Sequence, residues 1–271
     1  MVPSTAVDRR TFVAEARQRQ FERDGWVVVD LLDDEALDRL RTGYLELDHA
    51  AERSSAFAQG FHATAYDLRP AYRAAVRDLI DGATEPARRS TFVDHQAFFA
   101  NFLVKQPGAD LVDRHIDWTF VDEDRFRSAM VWCPLDDVDA DGGAMGGAPG
   151  TQDHVAFVRP VNHRDQPHHA SLVVHGGTEQ VIALRAGQAV VMDSRVVHFS
   201  APNSSGRERV VAAFVVAPHE AELVHWWVAP DGVPVRYVVR PEFYLSYVVG
   251  EPPERVAGIV SGGAVPGTPI A

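Results

Sequence analysis

Residues 113–118, with the sequence DRHIDW, contain a histidine and an aspartate two positions apart, His115 and Asp117. Side chains at positions i and i+2 of a β-strand point to the same face. The residues around this pair are β-rich and continue into Trp118 and Phe120, so we predict a strand over 111–120. Such a strand would present an imidazole and a carboxylate side by side, as a metal site requires.

A second stretch, 193–200 with the sequence DSRVVHFS, places His198 near the end of another predicted strand. Two histidines and one carboxylate on one side of a metal form the facial triad of non-haem Fe(II) oxygenases. Arg209 begins the next apolar run, and an antiparallel neighbour would bring this arginine close to His198. A buried arginine needs an anionic partner, and its planar fork suits a carboxylate. A capping or core role for His198, and pairing of Arg209 with a structural aspartate, remain the alternatives.

The His-x-Asp pattern occurs a second time, at His163 and Asp165, within the polar stretch 159–169. A loop would hold metal ligands poorly, whereas rigid elements hold them well. We therefore favour His115 and Asp117 as the ligand pair. The alternative for these two residues is a surface His–Asp pair on an edge strand.

The composition restricts the possible classes of protein. The chain has 271 residues, 46% of them hydrophobic, and a formal net charge of −12, which argues against nucleic acid and anionic membranes as partners. Cys133 is the single cysteine, so an internal disulfide framework is excluded and a reducing cytoplasm is expected. Residues 1–10 lack the apolar core of a signal peptide, and no apolar run reaches the length of a membrane span.

The order of predicted elements indicates an α+β, mostly β, fold in one domain over 1–271. Its parts are a helical segment over about 10–90, a β-rich core over about 91–217, and an aromatic segment with a loose tail over about 218–271. Predicted helices are Thr11–Asp24, about 33–51 and Pro70–Ile80, where the proline stands in the first turn. Predicted strands are 26–30, 91–105, 111–120, 127–134, 170–174, 179–184, 188–192, 195–199 and 208–217. Helices followed by many strands favour a sandwich or barrel.

Three segments are predicted to be irregular or to lie at the surface. Residues 59–67 read as irregular, and the Asp/Gly-rich stretch 136–150 and the polar stretch 159–169 read as surface loops. Loops of this kind often border a binding site. The aromatic stretch 226–247 is expected to close one end of the barrel.

Taken together, these motifs resemble the phytanoyl-CoA dioxygenase family of Fe(II)- and 2-oxoglutarate-dependent oxygenases. That family has His-x-Asp, then a distal His-x-Ser-x-x-Asn-x-Ser, and an arginine on the following strand. The corresponding residues here are His115, Asp117, His198, Ser200, Asn203, Ser205 and Arg209. The match is extended by KQPG at 105–108, VWCPL at 131–135 and GWVVV at 25–29.

The resemblance implies a double-stranded β-helix (jelly roll, cupin-like) with helices packed on one sheet. It implies that His115, Asp117 and His198 bind Fe(II), with O2 taking one remaining position. The cosubstrate 2-oxoglutarate would place its far carboxylate on Arg209 and Ser200. Trp132 would wall this pocket and Asn101 would face it, with plain core packing as the alternative for both.

The reaction implied is hydroxylation of a C–H bond, with release of succinate and CO2. Asp117 retains the carboxylate that related halogenases replace with a small residue, so hydroxylation is favoured over halogenation. Desaturation, ring closure and epimerisation remain open. The family's usual Asn-Gly and Pro-Gly-Ser-His are replaced by Gly142-Gly143 and by PGTQ at 149–152, so known family substrates are not transferred to this chain.

Candidate substrate-pocket residues flank the predicted metal strand: His62, Tyr66, Phe120 and Asp122. If the acidic run 122–124 lines the pocket, a cationic or amine-bearing substrate is favoured, and the alternative is a solvated acidic turn. No basic cluster supports a CoA-binding patch. A small metabolite, either an amino acid or a natural-product intermediate, is therefore the expected substrate.

Two other functions remain possible at this point. One is a metal-dependent cupin-like enzyme that does not use 2-oxoglutarate, against which Arg209 and Ser200 argue. The other is a non-enzymatic β-barrel binding protein, which would not need two histidines and an aspartate beside an arginine. The sequence does not indicate an oligomeric state.

Overall fold

The computed structural model describes residues 9–50, 58–162 and 178–270. Its helices are α1 (Glu15–Asp24), α2 (Asp34–Glu46), α3 (Pro70–Thr91) and the one-turn α4 (Phe243–Ser246). α1 ends at Gly25, which adopts φ +81°, a left-handed conformation that glycine tolerates best. α2 begins after Asp33, whose side chain accepts a hydrogen bond from the Ala36 amide at 2.8 Å.

α3 continues well beyond Ile80, where the sequence predicted its end. Gly82 and Pro86 are poor helix formers, but both lie inside the helix. A proline removes one N–H and strains one turn, whereas the apolar face continues through Ala83 and Ala87 into the hydrophobic core. Burial of this face therefore outweighs the local preference.

The strands form three antiparallel sheets. Their bounds are β1 (Trp26–Asp30), β2 (Phe61–Ala63), β3 (His95–Lys105), β4 (Val112–His115), β5 (Ala129–Pro134), β6 (Met145–Gly147), β7 (Gln180–Val181), β8 (Gln188–Asp193), β9 (His198–Ser200), β10 (Arg209–Pro218), β11 (Leu223–Val228), β12 (Pro234–Val239) and β13 (Ile259–Ala264). The major sheet has the order β1-β8-β5-β10-β3-β2, the minor sheet β4-β9-β6-β7, and a third sheet β11-β12-β13.

Residues of the major and minor sheets line one common cavity. This arrangement of two antiparallel sheets is the predicted jelly roll, and the prediction of a mostly β fold is confirmed. The helices cover the other face of the major sheet, where Leu40, Val76 and Ile80 join Phe102 and Phe214 in one core. Full burial of each such side chain stabilises the fold by roughly 1.5–3 kcal/mol.

Several predicted irregular segments contain strands. β2 lies within 59–67, β6 lies within the predicted loop 136–150, and β13 lies within the predicted loose tail. All three are short or glycine-rich, so they lack the alternation of apolar and polar residues that identifies a strand. The predicted strand 170–174 and the pair His163/Asp165 lie outside the described residues. Among the helices of the described ranges, none is both long enough and apolar enough to cross a membrane.

Candidate metal centre

The three predicted metal ligands lie together where β4 meets β9. His115 and His198 are directly opposed in the register of these two strands, and their ring centroids are 4.2 Å apart. β4 ends at His115, so Asp117 lies two residues beyond the observed strand, although the sequence predicted a strand that continued to residue 120. The His198 Nε2 atom is nevertheless 3.7 Å from Asp117 Oδ1. One ligand atom from each residue lies within 4.8 Å of the others, as a shared metal ion requires.

Hydrogen bonds to the main chain fix the orientation of both imidazoles. The Nδ1 atom of His115 lies 2.7 Å from the Asp113 carbonyl oxygen, and the Nδ1 atom of His198 lies 2.9 Å from that of Val196. A carbonyl only accepts, so each Nδ1 carries the proton and donates it. In this tautomer Nε2 is the nitrogen that carries the lone pair and can bind a metal, as is typical of histidine ligands.

The position of Asp117 is fixed through its main-chain carbonyl, and its carboxyl is influenced by nearby charged groups. Burial raises the pKa of the Asp117 carboxyl, and His198 and Arg159 oppose that rise. The Nε atom of Arg159 donates to the Asp117 carbonyl oxygen at 2.6 Å. The same guanidinium forms an ion pair with Glu123 at 2.6 Å. Because Asp117 follows the end of β4, this contact supplies the rigidity that strand pairing does not.

A cationic cluster lies beside the triad, at the ends of β3 and β10. Lys105 and Arg209 are paired in the register of these strands, and both are buried. The Arg209 Nη1 atom donates to the Gly143 carbonyl oxygen at 2.6 Å and to Ser200 Oγ at 3.0 Å. The Lys105 ammonium donates to Ser200 Oγ at 3.1 Å and to the carbonyl oxygens of Ser200 and Ala201.

These two cations have no carboxylate partner within residues 9–50, 58–162 and 178–270. The Arg209 Nε and Nη2 atoms are buried and form no hydrogen bond with those residues. Burial lowers the pKa of Arg209 to about 9. Burial, followed by repulsion from Arg209, lowers the pKa of Lys105 to about 7. A buried charge is costly unless an opposite charge accompanies it, so this cluster fits an anionic ligand beside the metal.

Trp132 and Asn101 border the same cavity. The Arg209 guanidinium lies 5.1 Å from the centre of the Trp132 ring, so the ring forms one wall of the cationic cluster. Asn101 Oδ1 is buried and, within the described part of the chain, forms no hydrogen bond. Both residues therefore lie in the cavity that contains the triad and Arg209, and their contact with 2-oxoglutarate stays a prediction.

The four substrate-pocket candidates separate into two pairs. Tyr66 and Phe120 line the cavity, which spans about 980 Å³ with its open mouth included. His62 lies between Phe61 and Ala63, which line the cavity, so the alternation of β2 turns His62 to the other face. Asp122 lines a separate cleft on the far side of Thr119 and Val121. The expectation that His62 and Asp122 face the substrate is therefore corrected.

Sequence reasoning also missed Lys105 and Arg159. Lys105 was part of a matching motif. It lies four residues after Asn101 on the same strand, so both side chains point to the same inward face, and this spacing could have indicated that Lys105 is buried. Arg159 lies in a stretch that was read as a surface loop, yet only 2% of its surface is exposed. No local pattern signalled that burial, because Glu123 and the Asp117 carbonyl come from a distant part of the chain.

The fold and the triad together define a jelly-roll protein of the facial-triad class. The sequence profile of the phytanoyl-CoA dioxygenase family matches residues 21–211. The chain therefore belongs to the phytanoyl-CoA dioxygenase family. No curated protein sequence matches the chain significantly.

Solved structures with the same fold share little sequence identity with this chain. The carbocyclase SnoK from nogalamycin biosynthesis, described as non-haem and alpha-ketoglutarate dependent, has a TM-score of 0.60 at 18% identity, over 82% of this chain and 90% of its own. The epimerase SnoN in complex with Fe3+, alpha-ketoglutarate and nogalamycin RO has a TM-score of 0.56 and 18% sequence identity. The match covers 91% of this chain and 95% of the SnoN chain. HygX from Streptomyces hygroscopicus, with nickel, 2-oxoglutarate and hygromycin B bound, has a TM-score of 0.54 and 13% sequence identity. The match covers 77% of this chain and 88% of the HygX chain.

Proposed function

We propose that this protein is a non-haem Fe(II)- and 2-oxoglutarate-dependent dioxygenase that acts on a small molecule. The observation that carries the proposal is the meeting of two incomplete sites in one cavity. One site is the triad of His115, Asp117 and His198. The other is the pair of buried cations, Lys105 and Arg209, which need an anion. A dicarboxylate with a 2-oxo group satisfies both, because one end chelates a metal and the other is a carboxylate.

The residues of the chain then have separate tasks. His115, Asp117 and His198 hold Fe(II) through two Nε2 atoms and a carboxylate oxygen. Arg209, Lys105 and Ser200 hold the far carboxylate of 2-oxoglutarate, Trp132 walls it, and Asn101 faces it. With O2, the bound iron and 2-oxoglutarate supply the oxidising chemistry and release succinate and CO2. The burial of the cationic cluster excludes water from this end of the cavity.

We further propose hydroxylation of a C–H bond as the outcome for the substrate. Asp117 keeps a carboxylate in the metal shell, so the position that a halogenase leaves for chloride is filled. The neighbours described as a carbocyclase and an epimerase make ring closure and epimerisation the alternatives that product analysis must separate. A cytoplasmic location, expected from the single cysteine, stays a prediction.

The proposal is tested by measuring succinate formed from 2-oxoglutarate. We expect formation that requires Fe(II) and O2 together and that falls to background in His198→Ala. His154→Ala is the matched control, because His154 is exposed and is not among the residues that line the cavity. Metal binding without any succinate would contradict the proposal and favour a cupin-like metal enzyme of another kind. Ligand binding that needs no metal would favour a binding protein.

A further inference from the structure

The cavity has two chemically different ends, and β3 connects them. Phe99, Asn101, Leu103 and Lys105 are spaced by two, so their side chains share one face of the strand. The first three line the cavity, and Lys105 is buried in the cationic cluster at the far end. This face of the strand therefore changes from aromatic, through amide and aliphatic, to cationic.

All charged groups in the described lining are already assigned. Among the lining residues within the described ranges, the acidic, basic and histidine side chains are His115, Asp117, His198 and Arg209. The proposed function assigns three of them to iron and the fourth to 2-oxoglutarate. A substrate that placed its own ammonium or carboxylate against these described residues would lose hydration without gaining an ion pair from them, which is strongly unfavourable.

The remaining wall is rich in aromatic rings. Phe99 and Trp118 are stacked, with ring centroids 6.1 Å apart and an angle of 29° between the planes. Both rings are half-buried, and both border the cavity. Two buried rings support this pair. The ring centroid of Phe120 lies 6.1 Å from that of Trp118, and the ring centroid of Tyr244 lies 5.2 Å from that of Phe99. These contacts fix the two rings while one part of each remains open to a ligand.

The position of this pair relates it directly to the metal. Trp118 follows the metal ligand Asp117 in the chain, and the Arg159 contact that holds the Asp117 carbonyl also fixes the start of this segment. Phe99 is paired with Val215, and Asn101 with Ala213, in the β3–β10 register. A flat molecule stacked on the pair would therefore lie beside the triad, away from the cationic cluster.

We propose that the substrate is an uncharged molecule with an aromatic or polycyclic ring system, which stacks on Trp118 and Phe99. This inference rests on the proposed function, which assigns the charged residues to metal and cosubstrate. It narrows the substrate class expected from the sequence, because a free amino acid would bring two charges, and the described lining residues offer no unassigned partner for either charge. Trp118 and Phe99 are thus specificity-determining residues.

The test compares three probes that share one ring: 2-naphthalenemethanol, 2-naphthoate and 2-naphthylmethylammonium. Protein is first loaded with Ni(II) and 2-oxoglutarate, and cosubstrate binding is measured by calorimetry. Each probe is then titrated, with its own fluorescence as the signal. Loading matters, because the free cationic cluster would bind 2-naphthoate for an unrelated reason. We expect the neutral probe to bind at least about 10-fold more tightly than either ion.

Variants assign the binding to the aromatic pair. Trp118→Leu and Phe99→Leu keep an apolar side chain but remove the ring, and each should raise the Kd of the neutral probe about 10-fold, or about 1.4 kcal/mol. Phe126→Leu is the matched control, because Phe126 is also half-buried but does not line the cavity. Unchanged 2-oxoglutarate affinity in each variant shows that the fold and the metal site are intact.

The outcomes separate this inference from the proposed function. If 2-oxoglutarate binds but a charged probe binds as tightly as the neutral one, the substrate class is wrong and the function stands. Equal loss of affinity in Phe126→Leu and Trp118→Leu would likewise overturn the assignment of the ring pair. If 2-oxoglutarate does not bind the metal-loaded protein, the proposed function fails and this inference fails with it.

Discussion

Lys105 shows how one side chain can prepare a site for a ligand. Its ammonium is fully buried and donates to Ser200 and Ala201, which are neutral acceptors. Burial, with Arg209 adding repulsion, lowers its pKa to about 7. The free protein therefore holds a lysine that is easily deprotonated, and an arriving carboxylate would restore its charge.

Replacing Lys105 with methionine should weaken 2-oxoglutarate binding and remove a pH dependence. We expect the Kd for 2-oxoglutarate to rise at least about 10-fold, because an interaction with a charged group in a buried site is worth about 1.5–3 kcal/mol. Metal affinity should be unchanged. Calorimetry of Ni(II)-loaded protein measures both, and Arg185→Met, which removes an exposed cation, is the control.

The sign of the pH effect follows from linkage. The pKa of Lys105 lies near 7 in the folded protein and near 10.5 in the unfolded chain, so between these values the unfolded chain binds more protons. The free energy of unfolding should therefore gain a positive slope of up to about 1.4 kcal/mol per pH unit in this window. Below pH 7 Lys105 is protonated in both states, so the cost of burying its charge lowers the free energy of unfolding by its full amount. A wild-type slope equal to that of Lys105→Met would contradict this account.

Glu123 is linked to the proposed metal ligand Asp117 through Arg159, which pairs with Glu123 and donates to the Asp117 carbonyl oxygen. Glu123→Gln should lower Fe(II) affinity by about 10-fold or more, the usual consequence of removing a group that orients a ligand. The charge that positions Arg159 is lost, while the shape of the side chain is kept. Competition with a metal chelator measures the change. Asp124→Asn, an exposed acid one residue away, should have no effect, and equal losses in both variants would indicate a general charge effect instead.

The three triad residues could be predicted from the sequence, whereas several of the residues that surround them in the fold could not. His115, Asp117 and His198 are recognisable because metal chemistry demands particular residue types at particular spacings. Whether His62 or Phe61 faces the cavity depends on the parity of a three-residue strand, which the sequence does not reveal. The role of Glu123 depends on Arg159, 36 residues away, and only the fold brings them together.

At the scale of elements, the close packing of β6 against β9 positions His198. Gly146 is opposite Phe199 and Gly147 is opposite His198 in this register. The Phe199 ring crosses Gly146 so closely that a Cβ atom there would overlap it. A side chain at this position would therefore displace the Phe199 ring on the neighbouring strand. The short β6 could not have been predicted from alternation.

Gly146→Ala should therefore shift β9 and weaken the metal site. We expect a loss of about 1–3 kcal/mol in the free energy of unfolding, typical of overpacking, and a parallel loss of Fe(II) affinity. Gly263→Ala is the control, since no atom lies within 4 Å of its added Cβ. Chemical denaturation and metal titration test the two effects. Normal metal affinity in Gly146→Ala would show that β9 does not depend on this packing.

Other elements differed from the sequence prediction because burial outweighed local preference. α3 passes through Pro86 because its apolar face remains covered by the major sheet. β13 forms in a glycine-rich segment because β12 offers it an open edge. The bounds of β8 and β10 were predicted to within one residue, since their apolar runs are bounded by turn residues. The end of β3 at Lys105 was also predicted, but β3 begins four residues later than predicted because α3 continues to Thr91.

At the scale of the whole molecule, the residues proposed to hold the metal and 2-oxoglutarate come from both the major and the minor sheet. Ser200 and the histidines belong to the minor sheet, whereas Lys105 and Arg209 belong to the major sheet. Ligands that bind only the folded state stabilise it, by about 2.7 kcal/mol at 100 times Kd. Ni(II) with 2-oxoglutarate should therefore raise the Tm by roughly 5–10 °C.

Glutarate is the matched control ligand in this melting experiment. It has both carboxylates but lacks the 2-oxo group, so it can contact the cationic cluster but cannot chelate the metal in the same way. We expect a clearly smaller increase in Tm with glutarate, and a smaller one with 2-oxoglutarate when the metal is omitted. The same increase in Tm with Ni(II) and 2-oxoglutarate, with Ni(II) and glutarate, and with 2-oxoglutarate alone would contradict the account. It would mean that the metal triad and the cationic cluster do not bind one ligand together.

The most direct test of the central claim is the visible spectrum of the protein without oxygen, during addition of Fe(II) and then 2-oxoglutarate. The account predicts a weak charge-transfer band that needs both additions, disappears in His198→Ala and requires more 2-oxoglutarate in Arg209→Gln. Demonstrated binding of Fe(II), with no band at saturating 2-oxoglutarate, would contradict the claim that one cavity joins the metal to this cosubstrate.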